Sequence, residues 1–135
     1  MSNKTSHLTM IQDVVNRMSV NSFLLKGWSV ILISSLFALA SANAKPIFIY
    51  LAYFPAIAFW GLDGYFLRLE RLYRALYDRV RRRGDEEVDF AMGTDIVKED
   101  VAPWLRVSLS RTLLIFHGSI LGTIVVVMII VIKSA

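Results

Sequence analysis

From Thr112 to Ile132 the chain reads TLLIFHGSILGTIVVVMIIVI, 21 residues with no formal charge between Arg111 and Lys133. A helix crosses about 30 Å of hydrocarbon with about 20 apolar residues, whereas a buried strand or a small core helix is shorter. Membrane class therefore precedes every other consideration. Two more runs share the character. FLLKGWSVILISSLFALASA, Phe23 to Ala42, is interrupted only by Lys26, whose long stem lifts its ammonium toward an interface. PIFIYLAYFPAIAFWGLDGYFL opens on Pro46, holds Pro55 as an expected kink, and meets its first charge at Asp63. SANAKP between them reads as a short hairpin loop. A hydrophobic content of 56% in 135 residues is more than a soluble domain of this length carries.

Lys and Arg gather on the cytoplasmic flanks of membrane spans. Lys4, Arg17 and Lys26 flank the start of the first span, seven arginines follow the second, Arg106 and Arg111 precede the third, and Lys45 alone marks the hairpin. The expected protein is all-α and oligomeric, with three transmembrane helices, N-in and C-out, over a cytoplasmic amphipathic helical bundle. Residues 1–20 are the cytoplasmic amphipathic helix and 21–67 the transmembrane hairpin. Residues 68–106 form a basic helix and acidic linker, and 107–133 the C-terminal transmembrane helix. The N-terminal stretch lacks the pattern of a signal peptide and is expected to stay on the mature protein.

Two stripes at helical spacing flank the hairpin. Leu8, Ile11, Val14 or Val15 and Met18 form one, in a helix expected to start near Thr5 or Ser6; Tyr65, Leu69, Leu72, Leu76 and Val80 form the other. An antiparallel hairpin brings them side by side, so they are expected to pack together. Charge then splits. Arg68, Arg71, Arg74, Arg79, Arg81, Arg82 and Arg83 outweigh Glu70 and Asp78 by five; from Gly84 to Asp100 seven carboxylates outweigh Lys98 by six. RRRGDEE, with Gly84 as a helix stop, is the junction. The acidic stretch either folds back on the arginines or leaves Arg71, Arg74, Arg79, Arg81, Arg82 and Arg83 to a lipid headgroup or a nucleotide or oligonucleotide.

Ionisable residues inside spans are costly and are functional candidates for that reason. Asp63 and Lys26 reach a similar depth in the hairpin, so Asp63 is expected to pair with Lys26 or with Arg68, as a structural ion pair or a gating element. Asn21 reads most simply as the cap of the first span. Gly118 and Gly122 make a small-residue pair suited to helix packing or oligomerisation. His117, Ser119 and Thr123 are candidate pore-lining groups, His117 being open between that role, an interhelical hydrogen bond and a packed imidazole.

Catalytic and metal chemistry find little support. There is no cysteine, and no phosphate loop, nucleophile elbow, paired His ligands or Ser/His/Asp order, so no enzyme, metal or cofactor is expected. Arg111 and His117 match the loose Arg-x(4 to 6)-His pattern of HEPN-type ribonucleases. Six residues apart on a helix, however, their side chains diverge by about 120°.

NRMSVNSFLLKGWSV followed by PAIAFWGLDGYFLRLERLYRALYDRV resembles a family of small bacterial anti-phage membrane effectors. The likeness spans roughly Thr9 to Val80 and is similar to both the Hailong-type effector and the membrane accessory protein of a CRISPR RNA-guided nuclease. The resemblance implies an oligomeric inner-membrane pore that depolarises an infected cell and halts growth. In its Hailong form, which the short chain favours, it implies a homotetramer held shut by a short DNA oligomer from a partner nucleotidyltransferase. Membrane lipids and further copies of the chain are the other expected partners. The alternative from a different class is a non-conducting anchor that recruits a cytoplasmic defence partner through its basic helix.

Overall fold

The computed structural model of the chain describes residues 2–43, 45–84 and 89–134, which are mostly helical with no strand among them. The helices are α1 (Asn3–Asn43), α2 (Ile47–Leu51), α3 (Tyr53–Arg81), α4 (Trp104–Ser108) and α5 (Arg111–Ser134), with a 3-10 helix at Asp95–Asp100. Three helical stretches, Asn3–Asn43, Ile47–Arg81 and Arg111–Ser134, are long and apolar enough to cross a membrane.

The N-terminal amphipathic stripe and the first span are one helix. α1 has 41 residues, an axial length of about 62 Å, roughly twice the hydrocarbon thickness. Asn21 lies inside it and caps nothing, because a single Asn costs only a few tenths of a kcal/mol in a helix interior and no Pro interrupts the run. The start is also earlier than Thr5: the Ser2 hydroxyl accepts the Thr5 amide at 3.1 Å, the bond an N-cap makes.

The second stretch breaks at Ala52, three residues before the expected kink at Pro55. A proline inside a helix lacks the N–H that would bond the carbonyl four residues back and presses its ring against it. For Pro55 that carbonyl belongs to Leu51, the last residue of α2, so the break falls where the bond is missing. From Tyr53 the helix then runs without interruption through Asp63 to Arg81.

α1 and α3 pack side by side and hold two separate apolar clusters. One joins Ile33 and Ala40 of α1 to Ile49, Ala52, Ala56 and, from α5, Ile124. The other joins Ile11 and Val15 to Leu72, Leu76 and Val80, with Val97 of the 3-10 helix as its lid. The two stripes thus meet, except that Tyr65 is exposed and Met18 lies outside the cluster. Between the clusters α4 crosses α3. The Trp60 indole donates to Ser108 O at 2.7 Å and the Trp104 indole to Gly61 O at 3.0 Å. The crossing is close because Gly64 has no side chain: a Cβ there would stand 2.0 Å from Ser108 Oγ and 3.3 Å from Ser108 Cα.

Candidate functional site

A buried polar group occupies the layer between the two apolar clusters, where α1, α3 and α5 meet. Asp63 of α3 is its centre and is fully enclosed, with 0% of its side chain exposed. Lys26 Nζ, from α1, lies 2.6 Å from Asp63 Oδ2, and His117 Nε2, from α5, lies 2.7 Å from the same oxygen. The Ser22 hydroxyl, one turn before Lys26, donates to Oδ1 and accepts from Lys26 Nζ at 2.8 Å. One carboxylate therefore gathers three donors from two other helices. A buried charge left alone costs several kcal/mol, so such a group persists only because each member satisfies another.

Aromatic rings fix the orientation of the imidazole. Trp60 stacks on His117 with centroids 5.9 Å apart and 10° between planes, while Phe116 meets it edge-on at 5.0 Å. Lys26 Nζ also stands 5.8 Å from the Phe116 ring centre, within the range of a cation–π contact. A carboxylate only accepts, so His117 carries a proton on Nε2 and donates it to Asp63. His117 Nδ1 has no partner among the described residues.

These contacts revise several sequence expectations. Asp63 pairs with Lys26; Arg68 instead donates from Nε to Ala102 O at 3.2 Å. His117 faces inward, so within one protomer it is an interhelical bond donor and no wall of an open path. Arg111 is exposed while His117 is buried, and the pair does not converge. Gly118 and Gly122 pack on no helix of the same chain, having nothing within 4 Å of a built Cβ among the described residues. Ser119 and Thr123 donate to the carbonyls one turn back on α5 and, with Ser34 of α1, line a shallow groove between the two helices.

Beside the lower cluster, that of Ile11, Leu72 and Val97, arginines of α3 and of its C-terminal end meet the described part of the acidic segment. Arg79 lies 3.6 Å from Asp100 and Arg83 3.6 Å from Asp89, while Arg74 and Arg81 pair along the helix with Glu70 and Asp78. Arg71 and Arg82 have no carboxylate partner among the described residues. The junction RRRGDEE is described as far as Gly84; residues 85–88 lie outside the described residues. The Asp89 carboxyl is held below its ordinary range, first by the Ala91 N–H and then, against partial burial, by Arg83.

Ser22, Trp60 and α4 are absent from the sequence-based candidates. Ser22 precedes Lys26 by one helical turn, which is a readable signal once Lys26 is assigned a partner. Compared with known proteins, the chain matches no protein-family model, no curated protein and no solved structure.

Proposed function

We propose that the chain is the protomer of an oligomeric channel in the bacterial inner membrane, N-in and C-out, controlled by an anion at its cytoplasmic arginine helix. Its output is membrane depolarisation and growth arrest, the role implied by the resemblance to anti-phage membrane effectors; that resemblance also favours a tetramer and a short DNA oligomer as the anion. The observation that carries the proposal is the continuity of α3. The same helix bears the arginines and, two to five turns earlier, the Asp63 carboxylate that joins all three spans. Movement of its cytoplasmic end is delivered to the buried polar group without an intervening joint.

The pore belongs to the assembly, because three helices cannot enclose water while keeping an apolar surface toward lipid. The open face of Gly118 and Gly122 suits close approach by a neighbouring copy, and Ser34, Ser119 and Thr123 supply hydroxyls beside it. The test is ion flux from phosphatidylethanolamine/phosphatidylglycerol vesicles carrying the purified protein, together with membrane potential in expressing cells. Flux that responds to Arg81, Arg82 and Arg83 replaced by Glu is expected. Vesicles that stay tight throughout, with a stoichiometric soluble protein co-purifying, would overturn the channel in favour of the non-conducting anchor.

A further inference from the structure

Residues 89–102 are fastened over the arginine face rather than trailing from it. Val97 is fully buried against the residues of the lower cluster. His7, itself fully buried, bonds Ala91 O through Nε2 at 2.7 Å, and Asp89 Oδ1 accepts the Ala91 amide at 3.1 Å. Between them Phe90 adopts φ 57° and packs its ring 5.6 Å from His7, a conformation uncommon outside glycine that needs surrounding contacts to hold it. These contacts, none of them with an arginine, place Asp89 at Arg83 and Asp100 at Arg79.

The ion pairs themselves are weak by geometry. Both are 3.6 Å long, with Asp89 60% and Asp100 58% exposed, longer than the about 2.8 Å of a strong guanidinium–carboxylate bond and open to screening. Beside them Arg71 and Arg82, which form no ion pair among the described residues, line two adjoining hollows along α3 with Arg74, Asp78, Arg79 and Asp100. The face is a row of guanidinium groups part-filled by carboxylates that are easily displaced.

We infer that residues 89–102 are a built-in competitor for a soluble phosphodiester chain, the Asp89 and Asp100 carboxylates holding places on the arginine face that successive phosphates take over on binding. This rests on the reading of that face as an anion site and adds how the site is regulated. A soluble chain fits better than lipid headgroups. α3 continues 18 residues beyond Asp63 to Arg81, about 27 Å of axial rise, whereas a charged surface reaches only about 8 Å at physiological salt. From Arg71 to Arg82 the face extends about 16 Å, room for several phosphates of an extended strand.

The test is fluorescence anisotropy of a labelled oligodeoxythymidylate of about twelve nucleotides with the full chain in detergent micelles. Asp89→Asn with Asp100→Asn is expected to tighten binding about fivefold. Asp95→Asn with Glu99→Gln removes the same charge from two exposed positions that pair with no arginine among the described residues, and is expected to change binding less than twofold. Arg71→Gln with Arg82→Gln is expected to weaken it about tenfold. Hydrogen exchange at residues 89–102 of the unaltered protein is expected to accelerate when the oligomer binds.

Equal tightening by both acidic pairs, or exchange unaffected by the oligomer, overturns the competitor while leaving the anion site standing. No binding by any form at about 50 mM salt removes the anion site as well. Tightening seen only toward phosphatidylglycerol vesicles assigns the face to headgroups and overturns the soluble chain.

Discussion

The Asp63 carboxylate and the His117 imidazole lie 54 residues apart in the chain and 2.7 Å apart in space, with 0% and 1% of their side chains exposed. With Lys26 on the same oxygen, α1 and α5 are both tied to α3 through one atom. In a low-dielectric layer this is an all-or-none arrangement, since each partner removed leaves another uncompensated.

Lys26→Met is therefore expected to be the most damaging single change in the group. It leaves Asp63 with no route to water, whereas Lys26, 21% exposed, can lift its ammonium outward when Asp63→Asn is introduced. Each is expected to cost about 3–5 kcal/mol, Asp63→Asn at the lower end. The double variant should cost well below the sum of the two. Thermal unfolding in lipid nanodiscs measures the cycle, and additivity within about 0.5 kcal/mol would deny the coupling.

His117→Gln keeps a donor for Asp63, and His117→Phe does not. The second is expected to lose about 1–3 kcal/mol and the first distinctly less. Nitrogen NMR of the unaltered protein should place a proton on His117 Nε2; a bare Nε2 contradicts the bond to the carboxylate.

Gly64→Ala forces α4 away from α3, because the new methyl meets Ser108 Oγ at 2.0 Å and Ser108 Cβ at 3.0 Å. Destabilisation of about 1–3 kcal/mol is expected, and Ser108→Gly in the same chain should recover most of it. Failure of that rescue would locate the clash elsewhere.

Acid should loosen the turn that begins at Asp89. A carboxyl whose folded pKa is depressed adds stability that is complete above its unfolded pKa, near 3.8, and disappears as pH falls through the lower folded value. Exchange at residues 89–92 is thus expected to be steady from neutral pH to about 4, after the intrinsic pH dependence is removed, and to rise below it. Asp89→Asn should abolish that acid-dependent rise; a rise that survives the substitution assigns it to another group.

Helix identity was legible wherever length or periodicity decides it: the uncharged run to Ile132, and Ile11, Val15, Leu72, Leu76 and Val80 at helical spacing. The Lys26–Asp63 pair was legible too, since a short hairpin fixes relative depth. His117 as its third member was not, because nothing between Arg83 and Arg111 reports how deep α5 sits against the hairpin. The helix running through Asn21 and the position of the Pro55 break, at Ala52, were missed for a local reason. Asn is a cap only where the chain turns, and a proline acts on the carbonyl four residues before it. Gly64 revealed nothing until Ser108 was placed opposite.

The two apolar clusters along α1 and α3 are built of the same side-chain types but are held by different forces when the spans lie in a bilayer. Ile11, Leu72, Leu76 and Val97 associate by excluding water, a drive that weakens on cooling and in urea. Ile33, Ala52, Ala56 and Ile124 are surrounded by chains as oily as themselves and associate by close packing. One pair of helices thus has two ends that answer to different solvents, and cold or chaotrope loosens the water-facing end first while the membrane end keeps its grip.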